Sequence, residues 1–413
     1  MKTFYLITFG CKLNQAESDM ISADLISLGL KPASQPLADL IIVNACAVTA
    51  KAELEVTRKI HQLQKFRSRA KIIFTGCFSI QEIPGVDLVV PGSQKEKIKK
   101  IVAAWLPPAV KLPTATIAPQ SGTHPHRAFI KIQTGCHNFC SYCLVPFLRG
   151  LPVSRPASQI VTAIKKSVGQ GLQEVVLTGV NIGLYETQNS INSPKNNSLS
   201  LVELLRLILS KTDMPRIRLG SLWPTHITPG LIRLYAKEPR LLPHFHLSIQ
   251  SGSNRILKLM NRRYTREEVI KITRACRRQI PDVNFTCDII VGFPGETEKD
   301  FQNTCDLVKT IGFSKVHIFQ FSPRPNTGAA AMSGQIPGSI KKARYQRLFA
   351  LAEIVARREK NKFKNKKLPV LWEGIAAGWQ YGFTSNYLRV KKKVKPGENW
   401  ENQIEEFRIK NFI

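Results

Sequence analysis

The chain has 413 residues, enough for two or three domains, and 43% of them are hydrophobic, enough for ordinary globular cores. It has no apolar run of about 18 residues, so no membrane-spanning helix is expected; the opening MKTFYLITFGCKLNQ lacks the apolar core and small-residue cleavage site of a signal peptide, and nine cysteines without an export signal fit reduced thiols in the cytoplasm. Lys and Arg number 60 against 29 Asp and Glu, a net charge of +31, which draws polyanions, nucleic acid first; no basic amphipathic membrane anchor stands out.

In chain order, residues 1–106 read as a parallel-sheet α/β domain. Apolar runs at 3–9, 40–44, 71–75 and 86–90 are its expected strands, and 14–28 and 50–67 its helices. Residues 107–126 carry Pro107, Pro108, Pro113, Pro119 and Pro125 and read as an extended linker. Residues 127–337 alternate again, with strands expected at 127–133, 174–180, 216–221, 244–250, 284–291 and 315–321. Helices are expected near 156–169, 199–211, 228–237, 264–279 and 297–311. Six β-α units suggest a partial (β/α)6 barrel with its active groups at the carboxyl ends of the strands. The polar stretch 187–198 reads as a surface insertion. A basic helix is expected over 338–368; its segment 341–367 holds 11 Lys and Arg against Glu353 and Glu359. Residues 369–413, with Gly374, Gly378 and Gly382 among short strands, read as a small β-barrel-like domain.

Cys136, Cys140 and Cys143 lie in TGCHNFCSYC, spaced C-x-x-x-C-x-x-C. Three thiolates so close can hold three irons of a 4Fe-4S cluster and leave the fourth iron open to a substrate. The same spacing also makes a helical stripe, but Gly135, Asn138 and Pro146 break or cap helices. Zinc lacks an obvious fourth ligand, although His137 is near. A second set stands at equivalent places. Cys11, Cys46 and Cys77 each end an apolar strand, and in a parallel sheet those ends share one edge. A second cluster held by these three follows, against the reading of three small core residues. Cys276, Cys287 and Cys305 fall at no ligand spacing and read as core or partly exposed thiols.

The strings FGCKLNQAES, VNACAVT, TGC, KIQTGCHNFCSYCLVPFLRG, LTGVNIG, SIQSGS and DIIVGFPGET, in this order, closely resemble the radical S-adenosylmethionine methylthiotransferase family over nearly the whole chain. The resemblance implies an N-terminal domain holding an auxiliary 4Fe-4S cluster through Cys11, Cys46 and Cys77. It implies a central radical barrel holding a second cluster through Cys136, Cys140 and Cys143, and a C-terminal RNA-binding TRAM domain. It implies that the radical cluster and S-adenosylmethionine generate a 5′-deoxyadenosyl radical, and that the auxiliary cluster carries the sulfur. Within the family, GCKLNQAES with NACAVT is most similar to the type that methylthiolates carbon 2 of N6-threonylcarbamoyladenosine in the tRNA anticodon stem-loop. The types acting on isopentenyladenosine in tRNA, or on an aspartate of a ribosomal protein, are the alternatives; a non-catalytic iron-sulfur RNA-binding module is the rival from another class. Ala45 departs from the family's usual Thr, and the 45-residue tail is short for a TRAM domain.

Thr178, Gly179 and Asn181, Gln250 with Ser251 and Gly252, and Asp288 are the expected cofactor-pocket residues, as strand-end or inward-facing groups able to approach or hydrogen-bond the cofactor. Arg149 and Arg155 flank the cysteine loop and are expected to meet the cofactor carboxylate or an RNA phosphate. The basic helix, and RVKKKVK at 389–395 with Tyr381, Phe383 and Tyr387 beside it, are the expected RNA-facing groups. An electron donor such as flavodoxin or ferredoxin and an unspecified sulfur donor complete the expected partners, with no membrane among them.

Overall fold

The structure is a computed structural model that describes residues 1–46, 50–66, 68–78, 83–106, 126–188, 198–410 and 412–413. The proline-rich stretch expected as a linker and most of the 187–198 insertion lie outside the described residues. The chain divides into two compact units. The first is Met1–Pro125 with Thr134–His137 and Cys143–Val153; the second is His126–Gln133, Asn138–Tyr142 and Ser154–Ile413.

The first unit is a parallel sheet. Strands β1 (Thr3–Thr8), β2 (Leu40–Cys46), β3 (Lys71–Cys77) and β4 (Leu88–Pro91) lie side by side in that order, and Lys31–Pro32 adds a short edge beside β1. Alternation along the strands sorts two cores. Leu40, Ile42 and Ile73 face one side, with Ile21 and Leu25 of helix α1 (Lys12–Ser27) and Ile98 and Val102 of helix α3 (Ile98–Trp105). Ile41, Val43, Ile72 and Phe74 face the other, with Val56 and Ile60 of helix α2 (Ala50–Leu63). Strands buried on both faces read as continuous apolar runs, which is why they are visible in the sequence.

The second unit carries six further parallel strands: β5 (Arg127–Thr134), β6 (Glu174–Gly179), β7 (Arg216–Leu219), β8 (His244–Gln250), β9 (Asn284–Val291) and β10 (Lys315–Gln320). β5, β6 and β7 pair in sequence order, β8, β9 and β10 likewise, and the chain passes from one set to the other just after β7, where Ser221–Leu222 pairs with β8. This is an open half-barrel. The outward alternation, including Ile130, Val175, Leu177, Ile217, Phe245, Leu247, Phe285 and Ile289, packs in one core with residues of the surrounding helices. The other alternation, apart from apolar positions such as Phe129 and Val176, is polar: Lys131 and Gln133, Glu174 and Thr178, Arg216 and Arg218, His244 and His246, Asn284 and Asp288. A polar inner face is what a barrel that receives a polar ligand requires.

The helix Gly338–Asn361 ends short of the basic span expected from the sequence. The chain turns over the next residues, with Asn365 in the left-handed region at φ 67°, before entering strand Lys367–Ala376. That strand pairs antiparallel with Trp379–Thr384 and Ile404–Arg408, and Arg389–Lys393 completes a four-stranded sheet.

At the amino ends of the half-barrel strands, one carboxylate answers three buried arginines. Glu174 accepts from Arg216 Nε at 3.0 Å and from Arg218 Nε at 3.0 Å, and Arg127 Nε lies 3.7 Å away. The arginines then reach the C-terminal sheet. Arg127 pairs with Glu373, and Arg216 donates to the carbonyls of Phe383 and Thr384. Arg218 lies 4.5 Å from the centre of the Tyr387 ring, which also stacks on Phe383 and on His244. Phe383 and Tyr387, expected to meet RNA bases, are therefore occupied inside the protein. Burial acts to raise the Glu174 carboxyl, but Arg218, Arg127 and Arg216 outweigh it and hold it well below its ordinary value. Its stabilising contribution is thus complete above pH 4.5 and lost as the pH falls through the depressed value. Glu174→Gln leaves the buried arginines without their common partner. Denaturant unfolding is expected to show a loss of about 3–5 kcal/mol at neutral pH, shrinking in acid; an unchanged midpoint would refute this role.

Candidate active site

The thiols at the strand ends meet as the parallel sheet requires. Cys46 and Cys77 are register partners on β2 and β3. A Cβ built on Gly10 would stand 2.4 Å from the Cys46 Cβ, so the residue before Cys11 lies directly against Cys46. Gly76 explains its place before Cys77: its φ is 139°, and a side chain there would meet the Ala45 carbonyl oxygen at 1.8 Å. Cys11 is exposed at the start of α1, Cys46 half-buried and Cys77 buried. Among the described residues, no three His, Cys, Asp or Glu side chains already converge on one metal-ion point. A 4Fe-4S core differs from a single ion in binding each thiolate through a separate iron, so its ligands stand farther apart.

Arg149 is placed where the sequence did not put it. Rather than facing a cofactor or phosphate, it is buried at the end of the short helix α4 (Val145–Arg149), with its guanidinium fully engaged. Nε lies 2.8 Å from Cys77 Sγ, Nη1 2.7 Å from Glu17 Oε1, and Nη2 3.0 Å from both Glu17 Oε2 and Asn14 Oδ1. Lys95 Nζ completes the group at 2.5 Å from Glu17 Oε2 and 2.7 Å from Asn44 Oδ1. The Cys77 thiol is held down at about 6, by its hydrogen bond with Cys46 first, then against burial by the charges of Arg149 and Lys95. Burial lowers Lys95. It acts on Arg149 too, but Cys77 and Glu17 outweigh it and raise that guanidinium above its ordinary range.

Of the cysteine loop, Cys136 and Cys143 belong to the first unit and Cys140 to the second. Cys136 N donates to Gly150 O at 3.0 Å. In the second unit, the turn after the helix Asn254–Leu259 braces residues 138–142. Asn261 donates to the carbonyls of Asn138 and Phe139 at 3.1 and 3.0 Å, and Ser141 N donates to Met260 O at 3.2 Å. Arg262 lies over the Trp223 ring, donates to Ser248 O, and brings Nη1 to 3.8 Å from Cys140 Sγ. Nothing at the sequence level marked this MNRR turn; two arginines beside a glycine-free turn look like a solvated surface.

Thr178 is buried on the inner face near the end of β6. Gly179 admits a close approach of protein rather than ligand, since a Cβ there would meet Gln133 O at 2.7 Å. Asn181 is 3% exposed; its backbone N–H donates to Gln133 Oε1 at 2.9 Å, while both polar atoms of its side-chain amide are buried without a partner among the described residues. Gln250 ends β8 in the left-handed region at φ 74°, just past a shift in register. Gly252 packs against Thr304, and Ser251 Oγ lies 3.4 Å from Thr304 Oγ1. Asp288 lies within β9 rather than at its end, 3.1 Å from His246 Nε2, whose Nδ1 is 2.8 Å from Thr286 Oγ1. Arg155 Nε reaches Gln159 Oε1 at 3.3 Å.

Residues 130–308 match the Radical SAM superfamily, and residues 3–87 match the family described as Uncharacterized protein family UPF0004. The radical S-adenosylmethionine methyltransferase TsrM from Kitasatospora setae superposes with a TM-score of 0.55 at 15% identity, over 80% of this chain and 74% of that one, a likeness of fold. The threonylcarbamoyladenosine tRNA methylthiotransferase MtaB of Thermotoga maritima is 36% identical over 94% of this chain and 91% of its own length. The tRNA-2-methylthio-N(6)-dimethylallyladenosine synthase of Moorella thermoacetica is 35% identical over 90% and 87%. The chain belongs to the radical S-adenosylmethionine tRNA methylthiotransferase family. It is an enzyme of S-adenosylmethionine and two 4Fe-4S clusters.

The residues present fit those groups. Two register-paired thiols stand with a third beside them, and a cation points at the buried one. The orphaned Asn181 amide suits a ligand with both donors and acceptors, as the amino acid end of S-adenosylmethionine has. Asn181→Ala is expected to weaken S-adenosylmethionine binding about tenfold in calorimetric titration, the loss of ~1.4 kcal/mol typical of one hydrogen bond. Thermal stability should hold, because the amide has no protein partner to lose; unchanged binding would remove Asn181 from the pocket.

Proposed function

We propose that this enzyme adds a methylthio group to carbon 2 of N6-threonylcarbamoyladenosine beside the tRNA anticodon. The observation that carries the reading is the string GCKLNQAES at 10–18 followed by NACAVT at 44–49, the form most similar to the threonylcarbamoyladenosine type. Lys12 and Leu13 stand where the isopentenyl type usually has Gln and Met. The near-equal identity to relatives named for each nucleoside makes the isopentenyl type the second reading.

In this reading Cys136, Cys140 and Cys143 hold the radical cluster, and Cys11, Cys46 and Cys77 hold the auxiliary one. When bound, these groups with S-adenosylmethionine supply a 5′-deoxyadenosyl radical and the sulfur and methyl to be transferred. The protein's part is positional. Asn181 offers its amide to the cofactor, Thr178 and Gln250 lie at or near the same strand ends, and the polar inner face receives the nucleoside. His246 and Asp288, in contact on that face, offer hydrogen-bonding groups to the nucleoside. A flavodoxin or ferredoxin supplies electrons.

RNA contact falls to cations left facing water. Several cations of the helix Gly338–Asn361 are spent on carboxylates: Arg344 on Glu296, Arg347 on Glu298, Arg358 on Glu359. A cleft of about 250 Å³ gathers Arg357, Lys364 and Lys410 with Lys360, which donates to Ile413 O at 3.1 Å, and among the described residues lining it only Glu353 is acidic. Such a cleft suits phosphates of the anticodon stem.

Expression in a host lacking its own methylthiolating enzymes, followed by nucleoside mass spectrometry of bulk tRNA, tests the substrate. The expected product is 2-methylthio-N6-threonylcarbamoyladenosine; methylthiolation of isopentenyladenosine alone would overturn the assignment. For the cleft, Arg357→Ala with Lys364→Ala is expected to weaken anticodon stem-loop binding and to flatten its dependence on log salt by about 1 per lost phosphate contact. An unaltered salt slope would place the RNA elsewhere.

A further inference from the structure

We propose that Arg149 is a positioning and charge-tuning residue of the auxiliary cluster, reaching it from the same segment that supplies Cys143 to the radical cluster. This rests on the reading of Cys11, Cys46 and Cys77 as the auxiliary ligands. Arg149 follows Cys143 by six residues, and residues 143–153 belong to the same compact unit as the three strand-end cysteines. Pro146 in the first turn sets the short helix α4, and the helix ends on Arg149. The guanidinium fork is then fixed from two directions. Two parallel bonds to Glu17 of α1 orient it, and Asn14 takes a further N–H. What remains is Nε, and it points at Cys77 Sγ from 2.8 Å. A side chain oriented by three bonds does not reach the sulfur by chance rotation.

Charge gives the arrangement its purpose. Among the described residues, the buried group holds two cations, Arg149 and Lys95, against one carboxylate, Glu17. An uncompensated buried charge is costly, so the surplus positive charge calls for an anion at the sulfur of Cys77, which Arg149 Nε faces. A 4Fe-4S core held by three thiolates is such an anion, and it gains a further negative charge on reduction. A hydrogen bond to a ligand sulfur and a nearby cation both favour the more negative state, and so raise the reduction potential. Arg149 would therefore set where the sulfur-bearing cluster sits on the redox scale, while Glu17 opposes it.

The opposite signs make the test. In the full-length chain with Cys136, Cys140 and Cys143 all changed to Ala, anaerobic reconstitution leaves only the auxiliary site. Iron counting should then give about four irons; none would sink the ligand assignment itself, separately from Arg149. In that background the midpoint potential is read by dye-mediated titration followed by electron paramagnetic resonance. Arg149→Gln should shift it to more negative values, Glu17→Gln to more positive values, and Arg149→Lys, which keeps the charge without the fork, should fall between the first variant and the parent. Loss of iron from Arg149→Gln in a protein whose apo form melts with the parent would also support positioning, and the Lys and Glu17 variants would then carry the potential measurement. Equal potentials in all loaded variants, or shifts of one sign for Arg149→Gln and Glu17→Gln, would reduce the network to a structural brace and overturn the proposal.

Discussion

Parallel strand pairing is the constraint on which the rest of this molecule depends. When neighbouring strands run the same way, their carboxyl ends lie along one edge, and whatever residues end the strands are brought together. In the first unit those residues are Cys46 and Cys77, with the turn at Gly10 and Cys11 folded against them. In the half-barrel the same rule sets Thr178, Gln250 and the residues that follow them at one end. It also leaves the other end free for the Glu174 network and the C-terminal sheet. Chemistry and assembly are thereby assigned to opposite ends of the same strands.

The large positive charge divides into two populations with different work. Arg127, Arg216 and Arg218 are buried and serve packing, with Glu174 as their shared partner. Arg149 and Arg262 are buried too, but each approaches a cysteine sulfur, one in each unit. Arginine suits both tasks because its planar fork can satisfy several acceptors at once and its charge is weakly hydrated. Lys95 and Arg344 are buried on carboxylates as well, and the attraction to polyanions resides in the cations that face water. Net charge alone counts all of these together, so it overstates the surface that RNA can meet.

How much of this was legible follows from the range of each interaction. Strands buried on both faces announce themselves as apolar runs, and each of the three cysteines follows directly on such a run. The side of the barrel that faces inward is visible as alternation, as in His244, His246 and Ser248 against Phe245, Leu247 and Ile249. Arg149 stands beside the cysteine loop in sequence, yet its partner Glu17 lies 132 residues earlier. One signal did exist: Glu17 interrupts the stripe of Leu13, Ile21 and Leu25 at spacing four, and a charge on a buried helix face needs a partner. Phe383 and Tyr387 misled because aromatics beside cations look alike whether the rings meet RNA bases or the protein's own arginines.

The sequence by itself determined the strand and helix order, the two cysteine sets and the family, because these depend on residue type and local spacing. Only the tertiary structure decided which arginine meets which carboxylate, that Arg149 lies against Cys77, and which cations are buried. Those outcomes depend on burial, which converts an ordinary surface charge into one that must find a partner, and the partner is chosen by the fold rather than by the neighbouring residues.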